Sequence, residues 1–300
     1  MIERAPGQLA ESIKAALDGT EYTPVQLIGR GGMGEVYEVV HDFLGKRFAL
    51  KVLHGFLGGD AQFADRVRVE AQLMARVRHP GVVEVIDLWV ASDGRPCLLM
   101  ELLQGRTLAA VLRERSRLPA AEATRVAIDT LSVLRATHAL GIVHRDIKPE
   151  NIFFHERAGD KMLKVLDFGI ARAVAYVAPD TAPRLAIPTQ AGALVGSPRF
   201  MSPEAAAGKQ VDTRADLYSL GLVLYVALTG RGPFDRNETT PLAPSQCPGS
   251  DIPAALDSVV LRAIAEHIED RYQTADEFAA DLRPFTRPSL FSRFHNPEET

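Results

Sequence analysis

Cysteine, long apolar runs and an excess of charge of one sign are all scarce in this chain of 300 residues. The two cysteines, Cys97 and Cys247, lie far apart, so we expect neither a disulfide framework nor a cysteine metal site, and we treat both as packing residues. The formal net charge of −4 supplies no basic surface for nucleic acid or for an anionic membrane. The composition therefore excludes several classes of protein without naming a function.

Membrane and export signals are also missing. The longest apolar run spans only Leu220 to Leu228, whereas a membrane-spanning helix needs about 20 apolar residues. The first residues, with Glu3, Arg4 and Pro6, lack the layout of a signal peptide. We therefore expect a soluble, cytoplasmic protein that binds neither a membrane nor nucleic acid. The length suits one large domain or two lobes that share a cleft.

Hydrophobic patterns along the chain predict strands first and helices later. Leu9, Ile13 and Leu17 recur at one helical turn, which predicts a short N-terminal helix packed on the main domain. The remaining predicted elements are strands over Glu35–Val40, Arg47–Leu53, Val82–Val90 and Cys97–Leu102, and helices over Ala61–Arg78, Ala121–Leu140 and Arg214–Thr229. The last helix is apolar nearly all round, which is typical of a buried helix.

A glycine-rich segment, Gly29-Arg-Gly31-Gly-Met-Gly34, has the G-x-G-x-x-G spacing of phosphate-binding loops. Dinucleotide-binding folds use the same spacing, but there the loop opens a helix, whereas Glu35–Val40 alternates like a strand. We therefore favour a strand–loop–strand whose backbone amides approach a phosphate without obstruction by Cβ atoms. A plain hairpin turn is the alternative reading.

Lys51 lies on a predicted strand, where it shares a face with Ala49 and is flanked by apolar neighbours. A lysine in that position needs a counter-charge. Glu70 offers one, because it falls on the core-facing edge of the next predicted helix, where an unpaired carboxylate would be costly. We therefore predict a Lys51–Glu70 ion pair that positions Lys51 on the α- and β-phosphates of a nucleotide.

The strongest signal is His144-Arg-Asp146-Ile-Lys148-Pro-Glu-Asn151, which Asp167-Phe-Gly169 follows at the end of a predicted strand. Together with the glycine loop, Ala49-Leu-Lys51, Glu70 and Ser202-Pro-Glu204, in that order, it makes the chain resemble the eukaryotic-like (Hanks-type) bacterial serine/threonine protein kinases. The resemblance implies an α+β, bilobal fold with a β-rich N-lobe that holds one regulatory helix and a mainly α-helical C-lobe. Its implied bounds are an extension over 1–21, an N-lobe over 22–101, a hinge over 101–105, a C-lobe over 106–284 and a tail over 285–300.

The same resemblance implies a reaction, the transfer of the γ-phosphoryl group of ATP, held by Mg²⁺, to serine or threonine hydroxyls of proteins. In such chemistry positioning and charge neutralisation do most of the work. Asp146 would orient the substrate hydroxyl and accept its proton, while Lys148 would neutralise the γ-phosphate. Asn151 and Asp167 would supply the oxygen ligands that magnesium prefers.

The resemblance also assigns an adenine pocket between the lobes and an internal stack that links them. The implied adenine contacts are Val36 and Ala49 above, Phe153 below, the backbone of Glu101 and Leu103 in the hinge, and Met100 before the deeper pocket. The glycine loop would contribute Ile28, Gly29, Gly31, Gly32 and Gly34. The implied stack is Val85, Met74, Phe168 and His144, anchored by Asp216, and a buried Glu204–Arg271 pair would brace the activation segment.

Control is expected at the activation segment. Arg145 precedes the catalytic aspartate, a placement that in this family accompanies activation by phosphorylation, because a buried arginine there needs an anion. Thr189 is our first candidate phosphosite and Thr181 the second, while Ser197 stands where the family usually has threonine and would bridge the catalytic aspartate and lysine. Autophosphorylation would bring two copies together in a transient homodimer.

One feature of the predicted kinase is in doubt, and two other functions can be weighed against it. Residues 235–253 form a shorter stretch than the resemblance leads us to expect, so a substrate-docking helix is in doubt there. A nucleotide-binding module without transfer activity would be expected to lack Lys51, Asp146 or Asp167, and none is lost. A nucleotide-dependent oxidoreductase fails because no acidic ribose-binding position follows a βαβ unit. We therefore expect an active kinase.

Overall fold

The computed structural model describes residues 11–31, 34–54, 61–157, 159–168, 198–234, 240–249 and 251–286, without the side chains at 11–12, 61–66, 70 and 198. The chain divides into two compact units. The N-terminal unit takes the chain up to Gly105 together with His155–Met162 and the segment from Leu166 to Phe168. The C-terminal unit takes Arg106–Phe154, Leu163–Val165 and the described residues from 198 onward.

The N-terminal unit is built around a five-stranded antiparallel sheet of order β1-β2-β3-β5-β4. Its elements are α1 (Glu11–Leu17), β1 (Tyr22–Gly31), β2 (Gly34–His41), β3 (Arg47–Leu53), α2 (Ala61–Met74), β4 (Val85–Val90) and β5 (Pro96–Glu101). The alternation that predicted β2 and β3 arises because successive side chains of a strand point to opposite faces of the sheet, so that in β3 Leu50 joins an apolar cluster on one face while Lys51 lies on the other.

One face of this sheet packs against α1. Ile13, which is fully buried, joins a cluster with Tyr37, Leu50 and Leu99 from the three central strands. The indole Nε1 of Trp89 donates a hydrogen bond to the carbonyl oxygen of Ala16 at 2.8 Å, which fixes the helix along the sheet. The helix seen in the sequence pattern is thus part of the core of this unit.

The opposite face packs against α2. Val67 of this helix lies in a second cluster with Leu53 and Leu98. The helix ends at Met74, earlier than the predicted Arg78, because its last turn tightens to bonds of the 3₁₀ type, such as the Val77 amide to the Met74 carbonyl at 3.0 Å. This error of a few residues is typical of helix ends.

The C-terminal unit is mainly helical. Its elements, with the strands β7 and β8 that it shares with the N-terminal unit, are β6 (Gly105–Thr107), α3 (Leu108–Arg115), α4 (Ala120–His138), β7 (Ile152–Arg157), β8 (Asp160–Val165), α5 (Pro203–Ala206), α6 (Arg214–Thr229), α7 (Asp257–Ala263) and α8 (Ala275–Leu282). Helix α6 is buried along most of its length, and a Cβ at Gly221 would come within 2.7 Å of the Cβ of Ala263 on α7. Glycine therefore permits the close approach of the two helices.

The shortened stretch contains little regular structure where it is described. Within 240–249 the structure has one 3₁₀ turn, Pro244–Gln246, and a second turn, Ala254–Leu256, leads directly into α7. Residues 235–239 and 250 lie outside the described ranges. No helix in the described ranges is both long and apolar enough to cross a bilayer.

Candidate active site

The described part of the glycine-rich segment lies where β1 ends and β2 begins. Gly31 pairs with Gly34 across the hairpin, with Gly32 outside the described residues. The strand–loop–strand prediction is correct, and a helix opened by this loop is excluded. A Cβ on Gly34 would lie 2.3 Å from the carbonyl oxygen of Val52, so close packing of the two strands requires glycine at this position. A Cβ on Gly31 would have no neighbouring atom within 4 Å.

Two rows of side chains cross the face of the sheet that packs against α2. The register places Val36 opposite Lys51, and Lys51 opposite Leu98. The neighbouring row consists of Glu38, Ala49 and Met100. Residues directly opposite in antiparallel strands share a face, so Val36, Ala49, Lys51 and Met100, all predicted for the nucleotide site, form one continuous surface.

Lys51 is only 3% exposed, yet it carries a charge on this surface. Its Nζ lies 2.5 Å from Oδ1 of Asp167, which stands in the same unit and is partly exposed. The carboxylate supplies the counter-charge that a buried ammonium requires. The side chain of Glu70 lies outside the described residues, so the Lys51–Glu70 pair stays a prediction.

In the C-terminal unit, the segment between α4 and β7 brings together the predicted catalytic residues Asp146 and Lys148 and the predicted metal ligand Asn151. Lys148 Nζ lies 2.7 Å from Oδ2 of Asp146. The Nδ2 of Asn151 donates to the backbone oxygen of Asp146 at 2.7 Å and to the same Oδ2 at 3.0 Å. One oxygen of Asp146 is therefore held from two sides, while Oδ1 has no partner among the described residues.

A buried carboxylate at the start of α6 holds this segment in place. Asp216, whose side chain is 1% exposed, accepts the backbone N–H groups of His144 and Arg145, each at 2.8 Å, and lies 2.8 Å from Nε2 of His138. Arg145 has a φ of 68°, a left-handed conformation that costs a non-glycine residue about 1–2 kcal/mol. The hydrogen bonds to Asp216 offset that strain directly beside Asp146.

A second buried ion pair joins Glu204 of α5 to Arg271. Two parallel hydrogen bonds of 2.9 Å connect the guanidinium, which is fully buried, to the carboxylate. Burial raises the pKa of Glu204, but the hydrogen bonds from Arg271, further hydrogen bonds to the carboxylate and the charge of Arg271 together outweigh burial and hold this pKa below its ordinary value. The structure thus brings together the two residues that were predicted to brace the activation segment.

The adenine-pocket residues are divided between the units. Ile28, nearly half exposed, Glu101 and Leu103 belong to the N-terminal unit, and Phe153 on β7 belongs to the C-terminal unit. The same holds for the predicted stack, with Val85, Met74 and Phe168 in the first unit and His144 in the second. Assembly of the pocket and of the stack across the units stays a prediction.

The predicted regulatory positions Thr181, Thr189 and Ser197 lie outside the described residues, as does Gly169. Two contacts were not predicted. His138, near the end of α4, contacts Asp216, which lies 78 residues further along the chain. Glu38, 5% exposed beside Ala49, accepts a hydrogen bond from Gln26 at 2.6 Å, and this bond contributes most to lowering the pKa of Glu38.

A glycine hairpin, a buried lysine paired with Asp167, and an aspartate held by Lys148 and Asn151 define a protein built to handle a phosphorylated nucleotide. The family model described as "Protein kinase domain" matches residues 22–282. The chain therefore belongs to the protein kinase family, and the predicted Hanks-type class and bilobal fold are confirmed. Membership in this family implies the use of ATP and a divalent metal ion.

Bacterial serine/threonine kinases are among its relatives. The probable serine/threonine-protein kinase PknB of Corynebacterium glutamicum is 39% identical over 280 residues, which cover 88% of this chain and 42% of the relative. Serine/threonine-protein kinase Pkn1 of Myxococcus xanthus is 40% identical over 269 residues, covering 86% of this chain and 37% of the relative. The chain thus spans about two fifths of the length of these relatives.

A solved structure supports the fold. The crystal structure of the Mycobacterium tuberculosis PknI kinase domain aligns with a TM-score of 0.68 at 30% identity, covering 89% of this chain and 96% of that one. The similarity therefore extends over both units and over nearly the whole of an isolated kinase domain.

Proposed function

We propose that this chain is a serine/threonine protein kinase that transfers the γ-phosphoryl group of Mg-ATP to protein hydroxyls. The observation that carries this proposal is the arrangement around Asp146. Lys148 and Asn151 hold its Oδ2, which leaves Oδ1, on a side chain that is 22% exposed, as an acceptor with no partner in the described chain. An acceptor fixed in this way suits the proton of a substrate hydroxyl.

The reaction follows from that geometry. The substrate hydroxyl oxygen attacks the γ-phosphorus, the bond between that phosphorus and the β–γ bridging oxygen breaks, and ADP leaves. The hydroxyl proton passes to Oδ1 of Asp146. Lys148, whose ammonium lies 2.7 Å from the other carboxylate oxygen, places positive charge beside the transferred group.

A divalent ion fits the residues present. Because Nδ2 of Asn151 is occupied by two acceptors of Asp146, its amide oxygen is directed away from them. Asp167 uses Oδ1 for Lys51 and keeps a second carboxylate oxygen. Amide and carboxylate oxygens are the ligands that Mg²⁺ prefers, so Asn151 and Asp167 would hold the ion. When bound, it would neutralise charge on the phosphates.

Specificity and control form the second part of the proposal. Lys148 within His144-Arg-Asp-Ile-Lys-Pro-Glu-Asn supports serine or threonine as the acceptor, as do the names of the relatives. We propose Thr189 as an autophosphorylation site, reached in a transient homodimer, with Thr181 as the second candidate. Because the reaction consumes ATP, we also propose that the protein acts in the cytoplasm.

The test is a transfer assay with labelled ATP, Mg²⁺ and a generic basic protein. The wild type should label the substrate, and Asp146→Asn, which removes the proton acceptor, should lower kcat at least about a hundredfold. Asp276→Asn is the matched control, because that side chain is 70% exposed and lies in the same unit. Equal labelling by the wild type and by Asp146→Asn would refute catalysis by this site and leave a nucleotide-binding module.

Thr189 has a separate test. Thr189→Ala should lower activity and leave nucleotide affinity unchanged, since the threonine is proposed to act through the activation segment only. Phosphopeptide mapping of the active wild-type protein checks the assignment. Full activity with an unmodified Thr189 would exclude this residue as the control site.

A further inference from the structure

The hinge, residues 101–105, is fixed at both ends by pairs of hydrogen bonds inside the N-terminal unit, which we call the first and the second clamp. At its start, the amide of Glu101 donates to the carbonyl of Glu84 at 3.0 Å, and the amide of Glu84 donates back to Oε1 of Glu101 at 2.9 Å. At its end, the amide of Gln104 donates to the imidazole Nδ1 of His155 at 3.0 Å, and the amide of Glu156 donates to the carbonyl of Gln104 at 2.8 Å.

Between these clamps lie Leu102 and Leu103, which belong to no strand. Their backbone N–H and C=O groups have no hydrogen-bond partner among the described residues. Backbone groups that stay unpaired in a half-buried segment are uncommon, because losing water without a replacement bond is costly. The two clamps therefore hold the backbone N–H and C=O groups of Leu103 in a fixed orientation, in which they can bind the edge of a ligand ring.

In the second clamp, at Gln104, one of the two hydrogen bonds uses a side chain, that of His155. The protonation of its ring nitrogens therefore determines whether this bond can form. The ring is 9% exposed, and its Nδ1 lies near both the amide and, at 3.1 Å, the carbonyl of Gln104. The carbonyl already accepts from Glu156, whereas the amide of Gln104 has no other acceptor among the described residues. Nδ1 is therefore the unprotonated nitrogen, and Nε2 carries the proton.

We infer that His155 is a positioning residue for adenine recognition, which acts by fixing the peptide plane between Leu103 and Gln104. This inference rests on the proposed function, since it takes the hinge as the adenine-binding edge. Without an acceptor at position 155, the amide of Gln104 must turn toward water or another acceptor, and Leu103 turns with it. The affinity for nucleotide then falls, while the machinery around Asp146 is untouched.

The test compares His155→Leu, which removes the acceptor and keeps an apolar bulk, with His155→Asn, whose amide oxygen can replace Nδ1. His267→Leu is the control, because that histidine is exposed and lies in the other unit. For each folded variant we would measure the ADP Kd by calorimetry, the KM for ATP, the KM for protein substrate and kcat.

His155→Leu should raise the ADP Kd and the KM for ATP about tenfold, which corresponds to about 1.4 kcal/mol. It should leave kcat and the KM for protein substrate within about twofold, and His155→Asn should restore most of the nucleotide affinity. A merely structural role would instead lower the active fraction, so that kcat falls at unchanged Kd. That pattern, or equal Kd values for the leucine and asparagine variants, would overturn the inference.

A measurement on the wild type decides the matter if His155→Leu does not fold. In ¹⁵N NMR spectra of the histidine rings, assigned with His155→Asn, Nδ1 of His155 should be the unprotonated nitrogen. A proton on Nδ1 would overturn the inference. Because ADP binding is measured without phosphoryl transfer, a wild type that binds ADP and transfers nothing would refute the proposed function alone, and a wild type that binds no ADP would refute both.

Discussion

The substitution Asp216→Asn tests how the catalytic segment is held. The carboxylate serves three N–H donors, with Oδ2 facing His138 and the amide of His144, and Oδ1 facing the amide of Arg145. An asparagine offers one oxygen and one NH₂ group in the same volume. At least one donor must then face another donor inside the core.

The magnitude follows from that mismatch. The loss of one charge-assisted hydrogen bond together with one unsatisfied buried donor costs about 2–4 kcal/mol. For a unit of this size we expect the melting temperature to fall by about 5–15 °C. The NH₂ group is expected in the position of Oδ1, because the oxygen then still serves the two donors at Oδ2. Arg145, at a φ of 68°, then loses the bond that offsets its strain, so its backbone relaxes and moves Asp146. A displacement of about 1 Å at a reacting group lowers kcat about a hundredfold.

The assay measures kcat and the ADP Kd at a temperature where the variant is folded. We expect a large fall in kcat with an ADP Kd within about threefold of the wild type, because the Lys51 surface belongs to the other unit. Asp276→Asn serves as the control, since exposed charges contribute about 0–1 kcal/mol. An Asp216→Asn variant with the melting temperature and kcat of Asp276→Asn would refute the reasoning.

Three further predictions concern the two units separately. Ile13→Ala should lower the unfolding free energy by about 2–5 kcal/mol in urea titrations, because this side chain of α1 is fully buried against the sheet; a value near zero would contradict the packing of α1 in the core. Gly34→Ala should destabilise the hairpin and raise the KM for ATP, because its Cβ would meet the Val52 carbonyl oxygen at 2.3 Å. Gly31→Ala places its Cβ in open space and should lower the unfolding free energy less; equal losses of unfolding free energy in the two variants would contradict this account. Burial raises the pKa of Glu204, but the hydrogen bonds to its carboxylate and the charge of Arg271 together outweigh burial and lower this pKa, so the group stabilises the fold fully above its ordinary pKa of about 4.5 and loses that contribution as the pH falls through the lowered value. Glu204→Gln should cost about 3 kcal/mol at pH 7 and less in acid, and a loss independent of pH would contradict the ion-pair account.

Alternating strands and a long apolar helix could be predicted from the sequence, and a short helix could not. The alternation in β2 and β3 and the apolar α6 were found within one or two residues. The short helix α8 was missed although Thr274 caps it, accepting the amide of Glu277 at 3.1 Å, in the Thr-x-x-Glu pattern of a capping box. The signal was present, but eight residues carry too few apolar positions to show a period.

The candidate site divides in the same way. Residues in a contiguous motif, such as Asp146, Lys148 and Asn151, could be assigned because the local chain brings them together. The contact of His138 with Asp216 joins positions 78 residues apart, and that of His155 with Gln104 joins positions 51 apart. Such contacts depend on tertiary packing, and an isolated histidine in a sequence gives no signal of its partner.

The N-terminal extension has a consequence for catalysis that follows from strand register. In β3, Lys51 and Leu50 face opposite sides of the sheet, and Leu50 is fully buried in the cluster under α1. A slip of one residue would move Leu50 into the row with Val36 and Leu98, and would move Lys51 into the apolar cluster. Burying an uncompensated ammonium there costs several kcal/mol. The apolar face of α1 therefore penalises a one-residue slip of β3, which would withdraw Lys51 from the face that meets the nucleotide, so the extension stabilises the geometry of the site.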